Sequence, residues 1–268
     1  MTAVVIAIDS PDDPRLAPYL NMRDRELANQ GDLFIAEGEH LVRRLLASSI
    51  RPESILVTTR KVAEMAPLAP PGCPVYVAGD AVIHSILGFK FHSGVIACAR
   101  RPPVPSLESI MGGAGSDRFT LVICPELHNT ENLGSLIRIA AAMGAQAMVV
   151  GERSCDPFFR RVVRVSMGAV FRLPIVRSAD LRSDLVELRR KWEVEMIATI
   201  VGDPTAEVLD GGTQRRQRAA ILLGSESQGL GREWLDLCDR RLTIPMHLGN
   251  DSLNVAVAAG IFLWHLCR

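Results

Sequence analysis

Apolar and polar positions alternate along this chain in blocks that predict strands and helices in turn. After residue 118, short apolar runs predict strands at 119–124, 147–150, 196–200, 219–223 and 242–245. Amphipathic stretches between most of these runs predict helices. Alternation of this kind is typical of an α/β fold with a parallel sheet, whose ligands collect where the strands end in loops.

The first hundred residues predict a smaller α/β domain. Apolar runs indicate strands within 1–9 and at 33–36, 54–58, 75–78 and 94–99, with helices at 16–29 and 38–47. The segment that follows is rich in proline, glycine and serine, which is typical of a linker. We therefore predict a first domain at 1–103, a linker at 104–117 and a second domain at 118–268.

Charge is balanced, with 30 Lys and Arg against 30 Asp and Glu in 268 residues. This balance argues against a protein that coats nucleic acid through bulk positive charge. Local arginine clusters remain, and each is either a set of phosphate contacts or a solvated helix face paired with acids. The clusters are Arg23/Arg25, Arg43/Arg44, Arg100/Arg101, Arg160/Arg161/Arg164, Arg189/Arg190 and Arg215/Arg216/Arg218.

Cysteine and histidine usage favours a reduced, metal-free protein of the cytoplasm. The 6 cysteines are scattered without a C-x-x-C pair, and the 6 histidines show no ligand spacing. The first residues lack the basic region of a signal peptide, and no uncharged stretch reaches the roughly 20 residues that span a bilayer. We expect neither a metal nor a membrane partner.

The first of three motifs that carry candidate chemistry is Asn132-Leu-Gly-Ser-Leu-Ile-Arg138. It lies in a helix that we predict to begin near Thr130 and to end at Gly144, a residue suited to a C-terminal cap. Asn132 is either a functional amide or a helix cap. Arg138 falls off the apolar stripe, so it is either functional or simply exposed.

Two further motifs follow the later strands. In Leu223-Gly-Ser-Glu-Ser-Gln-Gly-Leu230, the glycines Gly224 and Gly229 predict a tight loop whose backbone a cofactor can approach, beside the lone carboxylate of Glu226. The run from Ile244 to Asn254 joins a strand to a nearly all-apolar helix. We expect Asp251 or Ser252 to cap that helix and Asn254 to lie in its first turn. A helix apolar on nearly every side favours burial in a subunit interface.

In this order, the three motifs resemble the signature of the SpoU/TrmH family of RNA ribose 2'-O-methyltransferases, which belongs to the SPOUT class of knotted S-adenosylmethionine enzymes. The resemblance extends to the stretch from Arg164 to Pro174, where the family also carries Ser-x-Gly-Ala before a strand. The stretch from Phe34 to Leu46 resembles the accessory RNA-binding domain of L30e-like fold. Together these matches imply a C-terminal trefoil-knotted domain and a homodimer with its site at the knotted interface.

The resemblance also implies which residues serve the reaction. The residues implied to act on the ribose or its surroundings are Arg138, Asn132, Glu226, Ser252 and Asn254. Those implied to hold S-adenosylmethionine, largely through backbone groups, are Gly224, Ile244, Leu253, Thr199 and Gly229. One departure is that the family often has Asp-Pro shortly before its first asparagine, where this chain has Asn129-Thr-Glu-Asn132.

The implied function is methylation of a ribose 2'-hydroxyl. The L30e-like N-terminal domain favours ribosomal RNA over transfer RNA as the substrate. Two alternatives stay open. One is an RNA-binding protein that keeps the fold without catalysis, which the intact polar residues of the motifs disfavour. The other is an α/β enzyme on another cofactor, which the absence of G-x-G-x-x-G after a strand and of G-x-x-x-x-G-K-[ST] disfavours.

Overall fold

The computed structural model describes residues 4–20, 32–87, 93–113, 115, 118–225, 228–247 and 252–267. The chain forms two compact units. One comprises residues 1–103 together with 158–171, and the other comprises residues 104–157 together with 172–268. No helix within the described ranges is long and apolar enough to cross a membrane.

The first unit contains a mixed sheet with the strand order β1-β4-β3-β5-β2. Strands β1, β4 and β3 run parallel, and β5 is antiparallel to both β3 and β2. The strands are β1 (Val4–Ile8), β2 (Leu33–Glu37), β3 (Pro52–Thr58), β4 (Pro74–Ala78) and β5 (Val95–Arg100). The helices are α1 (Ala17–Leu20), α2 (Glu39–Leu46), α3 (Val62–Met65) and α4 (Asp80–Leu87). The predicted helix 16–29 is thus helical as far as Leu20, and its remainder lies outside the described residues.

The second unit contains a fully parallel sheet with the order β10-β12-β9-β11-β6-β7-β8. Its strands are β6 (Phe119–Cys124), β7 (Ala147–Val150), β8 (Ile175–Arg177), β9 (Glu195–Thr199), β10 (Glu207–Val208), β11 (Arg218–Leu222) and β12 (Arg240–Thr243). The helices of this part of the chain are α5 (Leu107–Gly112), α6 (Thr130–Met143), α7 (Arg160–Val165), α8 (Leu181–Trp192), α9 (Arg232–Leu235) and α10 (Val255–Leu266), of which α7 belongs to the first unit. The predicted parallel sheet is confirmed. Strand β8 follows Pro174, where the resemblance implies a strand, and β10 is a short strand that was not predicted.

The segment that was expected to be a linker contains helix α5. Ser106 caps this helix by accepting a hydrogen bond from the backbone N–H of Ser109 at 3.1 Å. Leu107 and Met111 are buried in the same core cluster as Phe119 of β6. Two apolar side chains one helical turn apart are therefore enough to bring most of this proline- and glycine-rich stretch into the second unit.

Residues 158–171 belong to the first unit, although the sequence placed them in the second domain. The Arg160 guanidinium lies 2.7 Å from the carboxylate of Glu37 at the end of β2. The ring of Phe34 packs against the rings of Phe158 and Phe171 at centroid distances of 5.0 and 5.8 Å. An ion pair and an aromatic cluster thus join this segment to β2.

Helix α6 follows β6 and has the apolar stripe that the sequence predicts. Leu133, Leu136, Ile137 and Ala140 are all fully buried, as the i, i+3, i+4, i+7 spacing requires. Gly144 ends the helix with a left-handed φ of 86°. The predicted stripe and cap are confirmed.

Helix α10 packs against α6. One face of α10 is buried through Ala259 and Leu263, while Val257 and Trp264 are 52% and 49% exposed. The end of α10 is fixed by Arg215, whose guanidinium donates to the carbonyl of Leu266 and to the hydroxyl of Thr120. The helix that follows the third motif is therefore held against the helix that carries the first.

Candidate functional site

The three motifs meet at the carboxyl edge of the parallel sheet. Strands β12, β9, β11 and β6 are successive neighbours, so the loops that follow them lie side by side. These loops surround an open cleft of about 720 Å³, within the range of small-molecule sites. The residues that line the cleft include Asn129, Asn132, Thr199, Asp203, Gly224, Gln228, Gly229, Ser252, Leu253 and Asn254.

The first and third motifs are joined by a direct hydrogen bond. The Asn254 amide nitrogen donates to the side-chain oxygen of Asn132 at 3.0 Å. The Asn254 oxygen accepts from the backbone N–H of Ala256 at 2.9 Å, which makes Asn254 the N-cap of α10. The expectation that Asp251 or Ser252 caps this helix was wrong, because the described chain enters the helix only after Asn254.

Helix α6 begins without the proline that the family often has. Asn129 caps it by accepting from the backbone N–H groups of Glu131 and Asn132, at 2.8 and 3.3 Å. The cap is therefore Asn129, and the Asn132 side chain is left to bond Asn254. The N-cap accepts hydrogen bonds from two of the open N–H groups at this helix start, whereas a proline at the first helical position would remove one of them.

The glycine loop of the second motif folds back on itself. Ser225 and Gly229 exchange two backbone hydrogen bonds of 3.0 Å, and Gly229 has a φ of 66°, which favours glycine. A Cβ added to Gly224 would lie 2.2 Å from the carbonyl carbon of Gly229. Position 224 therefore requires glycine for steric reasons. Glu226 lies outside the described residues.

The strand-end residues Thr199 and Ile244 have different surroundings. The Thr199 hydroxyl donates to the carbonyl of Leu222 at 2.8 Å, so it joins β9 to β11 at the cleft wall. Ile244 does not line this cleft but a neighbouring one of about 690 Å³, which also includes Val201 and Asp203. Because Val201 and Asp203 line both clefts, the two cavities are adjacent.

Asp203 is a cleft residue that sequence reasoning missed. The Thr205 hydroxyl and backbone N–H donate to its carboxylate at 2.6 and 2.8 Å, and Arg241 lies 3.1 Å away. These hydrogen bonds, and secondarily the guanidinium charge, lower the pKa of Asp203. The Asp203-Pro204 pair is a turn signal that could have located the loop. Asn129 was also missed as a lining residue, although an asparagine before a helix is a cap signal.

Arg138 is exposed on α6 and does not line the cleft formed by its own chain. The structure thus brings together Asn132, Thr199, Gly224, Gly229, Ser252, Leu253 and Asn254. It leaves Ile244 in the adjoining cavity and Arg138 apart. A glycine-walled cleft at the carboxyl edge of a parallel sheet is typical of an α/β enzyme that binds a nucleotide-like cofactor.

Comparison with known proteins supports an α/β enzyme and identifies its family. The model of the SpoU rRNA Methylase family matches residues 120–264. An uncharacterized tRNA/rRNA methyltransferase of Mycobacterium tuberculosis is 38% identical over 263 residues, which cover 96% of this chain and 90% of that protein. The chain therefore belongs to the SpoU rRNA methylase family.

Two further relatives are similar over their whole length. The 23S rRNA (guanosine(2553)-2'-O)-methyltransferase RlmP of Bacillus subtilis is 27% identical over 263 residues, covering 97% of this chain and 98% of RlmP. The crystal structure of an AdoMet-bound rRNA methyltransferase from Sinorhizobium meliloti is 25% identical and superposes with a TM-score of 0.82, covering 97% of both chains. Family membership makes this chain an RNA methyltransferase that uses S-adenosylmethionine.

Proposed function

We propose that this enzyme methylates a ribose 2'-hydroxyl in ribosomal RNA. RlmP is a 2'-O-methyltransferase of 23S rRNA, and it matches 97% of this chain. The Mycobacterium relative leaves transfer RNA open as the alternative. The 2'-hydroxyl is a chemically sensible target because it is also the group that distinguishes RNA from DNA.

The cleft is large enough for S-adenosylmethionine. Its volume of about 720 Å³ suits a nucleoside-sized ligand. Gly224 offers a wall without a side chain, and Leu223, Leu230 and Leu253 offer apolar surface beside it. We assign Gly224, Gly229, Thr199 and Leu253 to this cofactor, with Ile244 from the adjoining cavity. When bound, the cofactor supplies a methyl group on a positively charged sulfur.

The amides and hydroxyls at the cleft rim position the ribose and the loops. The Asn254–Asn132 hydrogen bond fixes the starts of α10 and α6 relative to each other. Ser252 lines the same rim and is exposed, so its hydroxyl is available to an RNA ligand. We propose the same neighbourhood for Glu226, whose carboxylate follows Ser225 in the glycine loop. Holding the 2'-oxygen in line with the methyl carbon supplies much of the rate in such a displacement.

We further propose that Arg138 acts in the cleft of a second copy of the chain. Arg138 and the apolar side chains of Val257 and Trp264 are exposed on the packed pair of helices α6 and α10. Pairing of two chains through this pair of helices would bury the apolar side chains and give each cleft the Arg138 of the partner subunit. The guanidinium gives up a proton very reluctantly, so we assign it to orientation of the ribose and phosphate and to charge stabilisation.

The connection between β12 and α10 crosses from one side of the sheet centre to the other. The segment from β12 to α10 must reach α6, which follows β6, and strands β9 and β11 lie between β12 and β6. We propose that the chain forms a trefoil knot in this region. We propose that residues 1–103 form an L30e-like RNA-binding domain, and that the enzyme acts in the cytoplasm, where ribosomal RNA is available.

The test of the function is incubation of purified protein with tritiated S-adenosylmethionine and total RNA from a strain that lacks the gene. Ribose methylation that maps to one position in ribosomal RNA supports the proposal. Label in the transfer RNA fraction would instead identify transfer RNA as the substrate. Absence of label in every fraction, with calorimetric cofactor binding intact, would favour an RNA-binding protein without catalysis.

The test of the shared site combines two inactive variants. We expect Arg138→Ala to abolish methyl transfer without affecting cofactor binding, and Gly224→Ala to weaken cofactor binding so far that its own cleft is inactive. When the two chains are co-expressed, about half of the dimers are mixed, and each mixed dimer has one intact site if Arg138 serves the partner. Recovery of about a quarter of wild-type activity is then expected, whereas no recovery would place Arg138 in the cleft of its own chain.

A further inference from the structure

A second concave surface lies at the opposite edge of the same parallel sheet. It is a cleft of about 810 Å³, and its lining includes four arginines, Arg189, Arg190, Arg216 and Arg218. Residues just before β9, β11 and β12 form its walls, whereas the cofactor cleft is formed by residues that follow these strands. The strands are four or five residues long, so the two edges are roughly 15 Å apart.

The charge of this arginine cleft is only partly compensated. Two carboxylates, Glu193 and Asp239, also line it. Asp239 is already engaged, since one oxygen lies 2.6 Å from Arg189 and the other accepts the backbone N–H of Met196 at 2.9 Å. Three arginines therefore face the single remaining carboxylate of Glu193.

Two of these arginines have guanidinium groups that are accessible to an external anion. Arg190 and Arg216 are both exposed, and neither side chain has a hydrogen bond or ion pair within the described part of the chain. Arg218 makes one weak contact, a 3.4 Å hydrogen bond to the carbonyl of Trp192. A guanidinium group presents five N–H donors, so most of the donor capacity of all three is available.

The position of the cluster gives a competing structural explanation. Arg189 and Arg190 lie in the last turn of α8, where cations interact favourably with the helix dipole. That explanation does not account for Arg216 and Arg218, which reach the same cleft from the start of β11 and the residues just before it. Convergence of unpaired arginines from two separate elements is what a phosphate-binding surface requires.

We propose that the arginine cleft binds the phosphate backbone of the RNA substrate at a distance from the methylated nucleotide. The proposal rests on the RNA methyltransferase function argued above. The chain has a formal net charge of zero, so its affinity for a polyanion has to come from local surfaces of this kind. Phosphate contacts supply affinity and register without reading sequence.

The experiment compares Arg190→Gln and Arg216→Gln, singly and together, with Arg172→Gln as the control. Arg172 is an exposed arginine of the same unit that does not line the cleft, so its replacement changes the net charge equally. Steady-state methylation of deproteinised ribosomal RNA gives KM for RNA, KM for S-adenosylmethionine and kcat. Filter binding from 50 to 200 mM salt gives the salt dependence of RNA affinity.

We expect the double variant to raise KM for RNA by roughly tenfold while kcat and the cofactor KM stay at wild-type values. The slope of log affinity against log salt should decrease by roughly 0.7 to 0.9 for each arginine removed. Arg190→Lys should recover part of the affinity, since it restores the charge without the planar fork. An RNA KM and salt slope equal to those of Arg172→Gln would overturn the proposal. Failure of the proposed function would appear differently, as wild-type protein that methylates no RNA.

Discussion

Replacement of Gly224 by alanine should separate cofactor binding from folding. The new Cβ would lie 2.2 Å from the Gly229 carbonyl carbon and 2.5 Å from the Leu230 nitrogen. Both are backbone atoms, so no side-chain rotation can relieve the overlap. An ordinary contact begins at about 3.4 Å, and the two arms of the loop must therefore move apart by about 1 Å.

Both arms of the loop are held at their bases, so the movement has to occur at the tip of the loop. Leu223 donates its N–H to the carbonyl of Ile123 at 2.9 Å, and Leu230 is buried in the core of the second unit. The movement must therefore open the Ser225–Gly229 turn, which lines the cleft that we assign to the cofactor. Overpacking of this kind costs roughly 1–3 kcal/mol of stability. A wall displaced by 1 Å is expected to weaken cofactor-dependent activity on the order of 100-fold.

Calorimetric titration with S-adenosylmethionine and thermal unfolding would be measured on the same samples. The matched control is Gly211→Ala, because a Cβ at Gly211 meets nothing within 4 Å. We expect the control to bind like the wild type and Gly224→Ala to remain folded with greatly weakened binding. Wild-type affinity in Gly224→Ala would show that this loop is not part of the cofactor site.

Two further predictions concern the loops around the cleft. Hydrogen bonds from Thr205 lower the pKa of Asp203 in the folded protein. At pH values above the ordinary Asp pKa of about 3.9, the ionised carboxylate therefore stabilises the loop. This contribution to stability is lost as the pH falls through the lower pKa of the folded state. The melting temperature of Asp203→Asn should thus lie below that of the wild type at pH 7 and converge with it in acid; a constant difference at all pH values would contradict this cause. At Asn254, alanine removes the cap of α10 and should cost about 1 kcal/mol in urea unfolding, while serine keeps the cap. Both variants lose the hydrogen bond to Asn132, so both should lose methyl transfer, and an active Asn254→Ser would show that the amide serves only the helix.

The elements that could be predicted from the sequence are those whose signals are local. Helix α6 has its apolar stripe and its glycine cap within fifteen residues, and the structure confirms both. The cap of α10 could not be predicted in this way, because Asp251, Ser252 and Asn254 are all good caps by residue type. The choice of Asn254 accompanies a hydrogen bond to Asn132, which is 122 residues away along the chain.

Non-local contacts also explain the two segments whose environment differs from the sequence prediction. Residues 158–171 join the first unit through Arg160 and Glu37, a pair separated by 123 positions. The composition of 104–117 indicates a linker, and the burial of Leu107 and Met111 depends on strands that lie further along the chain. Neither contact has a local sequence signal.

The separation of Arg138 from the cleft follows from helical geometry and bears on how the site is assembled. Asn132 and Arg138 are six residues apart on α6, which places them about 120° apart around the axis and roughly 9 Å apart along it. Asn132 faces the cleft of its own chain, where it meets Asn254. Arg138 therefore faces away from that cleft for as long as α6 remains a straight helix. If both residues are needed for one reaction, a second copy of the chain is the simplest source of the missing arginine.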